Sequence, residues 1–194
     1  GDPLNRVHWK ASAVSGHLQV KLLDPSANLG LAIYVNTWGF ERFYEGTDPE
    51  ALETACVLAA SVANWAVDEG IPVGLYANGF TVGWGMSLKV PPARGPQVLT
   101  QVLEGLARLQ QPTSQSAAEL LARETPGLQY GTSVVVISRN VSLELAEAML
   151  RVHRSGRPVT LILVGGGPES KVALPGVRIY AVTGEGALHA AVLA

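Results

Sequence analysis

The 194 residues predict an α/β domain built as a three-layer sandwich, with a mostly parallel central sheet and helices on both faces. Three observations carry that expectation. "LGLAIYV" (29–35), "SVVVIS" (133–138) and "PVTLILVGG" (158–166) contain uninterrupted apolar runs of strand length, the pattern of strands buried on both faces. Segments with helical periodicity and start and stop signals separate them. The composition, 47% apolar against 15% charged, leaves enough apolar surface for one substantial core at this length.

Taken in order, "DPLNRVHWKASAVSG" (2–16) reads as a short helix, with Asp2 as cap, Pro3 at the first helical position and Gly16 at the exit. Alternation of Val7 and Trp9 with Arg6, His8 and Lys10 keeps a strand open there. "HLQVKLL" (17–23) alternates as a half-exposed strand and ends at Asp24-Pro25-Ser26. Residues 1–25 thus form an N-terminal helix/strand extension of a single domain spanning 1–194. After the buried strand at 29–35, "TDPEALETACVLAASVANWAVDEG" (47–70) is a helix. Thr47 or Asp48 caps it, Pro49 opens it, Glu50 and Glu53 face its positive end, and Gly70 stops it.

"IPVGLYAN" (71–78) is the next strand, and a further strand is expected around Met86–Val90. "PQVLTQVLEGLARLQ" (96–110) places Val98, Val102, Leu103, Leu106 and Leu109 on one helical stripe. Helices at "SAAELLARE" (116–124) and "SLELAEAMLRVHRSG" (142–156) flank the strand at 133–138. The strand at 158–166, a strand at "VRIYAVTG" (177–184) and a last helix at "EGALHAAVLA" (185–194) complete the pattern.

The bulk properties exclude several functions. A formal charge of −2 argues against nucleic acid as the main ligand, because phosphate binding needs a basic surface. The single Cys56 rules out an internal disulfide and a cysteine-based zinc site, and its apolar helical setting predicts a buried, unreactive thiol. No apolar run reaches the ~18 residues of a membrane span, and no signal peptide is visible. Because the chain opens on Gly1, it is expected to be a soluble piece of a longer protein, with any membrane anchor in the part not included.

Ligands of open α/β sheets gather at the carboxyl ends of strands. The residues there are Asn36, Thr37, Trp38, Gly39 and Phe40, then Asn78 and Gly79, then Ser138, Arg139 and Asn140, then Gly165, Gly166 and Gly167. None is Asp, Glu, His or Cys, so neither the carboxylates of a hard-cation site nor a nucleophile–base pair is expected, and no enzyme activity. "VGGGPES" lacks both the dinucleotide fingerprint and the Gly-Lys-Ser/Thr of a phosphate loop, and reads as a flexible turn. His8, His17, His153 and His189 read as structural or solvated. Trp38, Phe40 and Trp84 sit on loops, where they either anchor a protein partner or fold back onto the core.

"GDPLNRVHWKASAVSGHLQVK", "LAIYVNT", "DPEALETACVLAASVANWAVDEGIPVGLYANG" and "PPARGPQVLTQVLEGLARLQ" together resemble the domain of unknown function 58 family, whose members are similar to von Willebrand factor A domains. The likeness runs from Gly1 to about Ser138, and Arg6, His8, Trp9 and Lys10 belong to its most specific block, read as structural. The resemblance implies a von Willebrand A-like fold. It also implies where a metal-ion-dependent adhesion site would lie: its Asp-x-Ser-x-Ser motif falls on Asn36, Trp38 and Phe40, and its later Asp near Arg139. Those residues make a degenerate site. Family members often carry membrane segments before this domain and are encoded beside MoxR-type AAA+ ATPases.

The resulting expectation is a non-enzymatic protein-interaction module without a cofactor. It would be an adaptor for a MoxR-type AAA+ ATPase, held on the cytoplasmic side of a membrane-anchored protein. Candidate partner-binding residues are Asn36, Thr37, Trp38, Phe40, Asn78, Trp84 and Arg139. Two alternatives stand beside it: a weak divalent-metal-dependent binder using Asn36, Thr37 and Ser138 with waters, and a hydrolase or nucleotide-binding enzyme built on Gly165 to Gly167.

Overall fold

In the computed structural model the described residues are 30–39, 46, 48–82, 87–110, 115–165, 174–182 and 188–189. The first strand among the described residues, β1 (Leu31–Val35), is buried along its whole length. It leads through a loop to helix α1 (Pro49–Asp68), capped by Asp48, whose Oδ1 accepts the Ala51 amide at 3.0 Å. Gly70 ends this helix at a φ of 68°, a left-handed exit that Gly takes without steric cost. Strand β2 (Val73–Ala77) follows, then the two-residue β3 (Phe80–Thr81) and β4 (Leu88–Ala93). Helix α2 (Pro96–Ala107) opens on a proline and runs into β5 (Leu109–Gln110). Helix α3 (Ala117–Glu124) starts with a complete capping box between Ser116 and Glu119, and a 3-10 turn covers Thr125–Gly127. Then come β6 (Ser133–Ser138), helix α4 (Leu143–Arg154) capped by Ser142, β7 (Val159–Val164), β8 (Arg178–Val182) and β9 (Leu188–His189).

Among the described residues the main sheet has seven strands in the order β4-β2-β1-β6-β7-β8-β9. Its inner pairs are parallel, while β4 and β9 close the two edges antiparallel. A separate two-stranded sheet joins β3 and β5. Side chains of alternate strand residues build two cores. One face packs Ile33, Val35, Leu75 and Ile137 under α1 and α2; the other packs Tyr34, Val136 and Leu161 under α3 and α4. Helix α1 lies across β1, β2, β6 and β7. Its buried stripe is all alanine, at 51, 55, 59, 63 and 66, so a minimum of side chain separates it from the sheet.

The expected three-layer α/β architecture is therefore present, with specific departures. The strand near Met86–Val90 begins at Leu88 and continues through Pro91 and Pro92 to Ala93. Prolines fit there because β4 is an edge strand whose register against β2 shifts between Val73 and Leu75. Lacking N–H groups, they also keep that edge from recruiting another strand. Leu109 lies in β5 rather than on the α2 stripe, and Leu103 of α2 is exposed; a two-residue ladder to β3 ends the helix two residues before its apolar periodicity does. Of the expected final helix over 185–194 only Leu188 and His189 are described, and they pair antiparallel with β8 instead. Cys56 is half-buried rather than buried; burial still pushes its thiol up to about 11, with Glu53 adding to the effect, so it stays protonated. The expected elements over 2–23 lie outside the described residues.

The α3 side holds a buried polar cluster. Tyr34 and Tyr76 stack with ring centroids 4.9 Å apart, and the Tyr34 hydroxyl lies 3.3 Å from Thr125 Oγ1. Burial pushes the Tyr76 phenol up to about 12. Glu124, 9% exposed, contacts Lys89 Nζ at 2.6 Å and Arg123 Nε at 2.7 Å. Burial alone would raise its carboxyl, but the two cations outweigh burial and hold it below the usual range. A depressed carboxylate stabilises the fold above its unfolded pKa and loses that contribution as pH falls through the folded value. Urea midpoints should therefore fall on acidification below the ordinary glutamate range, and Glu124→Gln should flatten part of that fall. An unchanged acid limb in the variant would contradict the assignment.

Gly74 gives a second test. A Cβ there would lie 2.6 Å from Pro92 N and 2.8 Å from the Val90 carbonyl, both backbone atoms of the irregular β4 edge. Gly74→Ala should destabilise by about 1–3 kcal/mol in urea unfolding, as overpacking does. Gly127→Ala, where no atom stands within 4 Å, should be close to neutral.

Candidate functional site

Strands β1 and β6 are neighbours, and the helices leaving them, α1 and α4, pack on opposite faces of the sheet. The strand order thus reverses between β1 and β6, and the crevice beyond their carboxyl ends is where such sheets hold ligands. The backbone carries the ladder one step past β1, with the Asn36 amide donating to the Ile137 carbonyl at 2.9 Å. Asn36, Thr37, Asn78 and Ser138 then converge from the ends of three strands, and all four are buried.

These side chains satisfy one another. Asn78 Oδ1 accepts from the Thr37 amide at 2.8 Å and from Thr37 Oγ1 at 3.2 Å. Its Nδ2 donates to Asn36 Oδ1 at 3.1 Å and to the Gln115 carbonyl at 3.1 Å. Asn36 Oδ1 also accepts the Trp38 amide at 3.2 Å, while Asn36 Nδ2 donates to Ser138 Oγ at 2.9 Å. The Ser138 hydroxyl donates in turn to the Asn140 carbonyl. A main-chain N–H fixes the orientation of each amide, so neither can be flipped without breaking the chain of bonds. The result is an uncharged network of buried, mutually bonded groups, where each group left unpaired would cost about 1–3 kcal/mol.

Over the network lies an ion pair. Arg139 Nη1 stands 2.6 Å from Asp48 Oδ2. Asp48 thereby serves two elements: one oxygen caps α1, and the other holds the guanidinium that follows β6. The loop after β1 folds tightly against this residue, since a Cβ on Gly39 would sit 2.8 Å from the Asp48 amide nitrogen. On the far side, Gly165 leaves β7 at a φ of 87°, and a Cβ there would lie 2.9 Å from Arg139 Nη1.

Of the candidate residues read from the sequence, the structure joins Asn36, Thr37, Asn78 and Ser138, sets the half-buried Trp38 beside them, and places Arg139 at their mouth. Phe40, Trp84, Gly166 and Gly167 lie outside the described residues, as do Arg6, His8, Trp9 and Lys10. The reading that this edge carries no carboxylate is corrected: Asp48 reaches it from the start of α1. The signal was available, because a cap residue opening a helix that follows a parallel strand lies at that strand's carboxyl edge. Gln115, which enters through its carbonyl, carried no such signal. Among the described residues no group of three or more His, Cys, Asp or Glu is placed to hold a metal ion.

A parallel sheet in this order, flanked by helices on both faces with its crevice at β1 and β6, is a von Willebrand A-like fold. It resembles the SpRpn10 VWA domain at a TM-score of 0.50 and 10% identity, covering 81% of this chain and 89% of that one. An aerotolerance-related membrane protein from Bacteroides fragilis is similar at a TM-score of 0.52 and 16% identity, over 84% of this chain and 81% of the other. Proximal thread matrix protein 1 from the mussel byssus matches at a TM-score of 0.53 and 11% identity, over 80% of this chain but 44% of its own. No curated protein matches in sequence. The chain belongs to the family described as "Protein of unknown function DUF58", whose model matches residues 1–184.

The double role of Asp48 can be separated experimentally. Asp48→Asn keeps an acceptor for the Ala51 amide and loses only a partly exposed ion pair, so it should cost a few tenths of a kcal/mol. Asp48→Ala loses the cap as well and should cost about 1–2 kcal/mol in thermal or urea unfolding. Equal losses in the two variants would show that the cap contributes nothing.

Proposed function

We propose that this domain is a non-enzymatic protein-interaction module whose partner docks on the carboxyl edge of the sheet around Trp38 and Arg139. The observation that carries this reading is the network of mutual hydrogen bonds among Asn36, Thr37, Asn78 and Ser138. A hard divalent cation needs several free oxygen ligands, preferably carboxylates. Here Asn36 Oδ1 and Asn78 Oδ1 each already accept two hydrogen bonds. The carboxylate at this edge is bound to Arg139, whose positive charge would repel an incoming cation. The described residues do not fit the metal that an adhesion site of this fold would use, and the Ser138 hydroxyl is committed to the Asn140 carbonyl. What remains among them is an edge of mutually bonded side chains beside the half-buried Trp38, an aromatic suited to a protein surface. The von Willebrand A-like fold, commonly an interaction module, supports the same reading.

The partner we infer is a MoxR-type AAA+ ATPase, on the strength of family membership. Among the described residues no helix is long and apolar enough to cross a membrane, so attachment to one would come through segments outside those described. This attachment is part of the proposal, supported by the likeness to an aerotolerance-related membrane protein.

Gel filtration and pull-down with the co-encoded ATPase, run with ATP, with ADP and without nucleotide, should show a complex in at least one state. Trp38→Ala should weaken it severalfold while leaving the urea midpoint unchanged. Absence of association in every nucleotide state would sink the proposal. Titration calorimetry with magnesium, manganese and calcium should show no site tighter than about millimolar; a tighter one would restore the metal-dependent alternative.

A further inference from the structure

At the opposite end of the sheet, the turn between α4 and β7 holds a guanidinium that has no counter-ion among the described residues. Arg157 is half-buried and fixed at two corners: Nη1 donates to Ser155 Oγ at 3.2 Å, and Nη2 to the Leu128 carbonyl at 3.0 Å. Its Nε is buried and has no hydrogen-bond partner. Among the described residues no ion pair reaches it, because the carboxylates of the neighbouring helices are engaged elsewhere. Glu124 is held by Lys89 and Arg123, Glu119 by the Ser116 amide, and Glu147 stands 3.8 Å from Arg151.

A partly dehydrated cation without an anion is costly. The carboxyl end of α4 offsets only part of that cost. A helix end carries about half a unit of negative charge, and Arg151, His153 and Arg154 already crowd the same turn. The arginine is thus both unpaid by charge and held still, the condition in which a planar guanidinium best receives a carboxylate.

Two cavities meet at this side chain. One of about 360 Å³ opens between α3 and α4, with apolar walls from Leu121, Ala122, Ala148 and Val152, and Arg151 and Arg157 as its charged lining. The other, about 310 Å³, has His153, Arg157 and Arg178 in its lining. Neither lining includes a carboxylate. The first has the size and character of a small-molecule site, mostly apolar with a few polar groups to fix orientation.

We propose that the α3–α4 cleft binds a small organic acid, its compact apolar body between the helices and its carboxylate on Arg157. The site is independent of the carboxyl edge and of any partner docked there. Octanoate and its neutral analogue octanamide, titrated into the intact domain by calorimetry or NMR, share the apolar body and differ in charge. Octanoate should bind saturably and roughly tenfold tighter than octanamide, the size expected of one charge-assisted pair. Arg157→Met should abolish that difference. Because this variant also releases the Leu128 carbonyl and could loosen the fold, Ala122→Trp provides the second arm: it fills the mouth of the cleft from an exposed position and should block octanoate without moving the urea midpoint. Failure of octanoate to saturate, equal affinity for octanamide, or binding unaffected by Ala122→Trp would each overturn the proposal. So would acetate or inorganic phosphate binding as tightly as octanoate, since the apolar cleft would then contribute nothing.

Discussion

Burial of β1 on both faces and along both edges is the constraint from which the rest of the carboxyl edge follows. A strand hydrogen-bonded to β2 on one side and β6 on the other delivers the next residue, Asn36, into a space with almost no solvent. Any polar group placed there has to find its partner in the protein. Amides carry both donors and acceptors, so Asn36 and Asn78 complete each other. Neutral groups that satisfy one another also avoid the large dehydration cost of a buried carboxylate.

The same economy explains the position of Arg139. Beside this neutral network stands the Arg139 guanidinium, and Asp48 supplies its counter-charge from the start of α1. Salt and solvent weaken that pair, since the Arg139 side chain is 38% exposed. Its importance is geometric. It ties the loop after β1, the start of α1 and the exit from β6 to one another at the place where the strand order reverses. A partner of the kind proposed would meet side chains already held in place, which lowers the ordering cost of association.

How much of this was legible in the sequence depended on range. The strands β1, β6 and β7 announced themselves because double burial demands unbroken apolar runs, and α1, α3 and α4 because their caps are local hydrogen bonds between residues three apart. Elements decided by distant pairing were harder. The prolines of β4 hid an edge strand, the ladder to β3 cut α2 short before Leu109, and the pairing of β9 to β8 overrode a helical pattern around His189. Asn36, Asn78 and Ser138 could be named as strand-end residues, but not joined, since 42 and 102 positions separate the bonded pairs. Asp48 was read by its nearest use, the cap, because its second partner lies far along the chain.

Arg157 illustrates the limit most sharply. Nothing in "RSGRPVT" separates it from its neighbours Arg151 and Arg154, and helix-end cations ordinarily need no explanation beyond the helix dipole. Only the fold reveals that Leu128 reaches its guanidinium, that α3 and α4 enclose apolar space beside it, and that their carboxylates are bound to other groups. A cation earns attention when its surroundings have been arranged to hold it without neutralising it. The two ends of this sheet make opposite use of a guanidinium: at the carboxyl edge Arg139 is neutralised and closes a site, whereas at the amino edge Arg157 is held open.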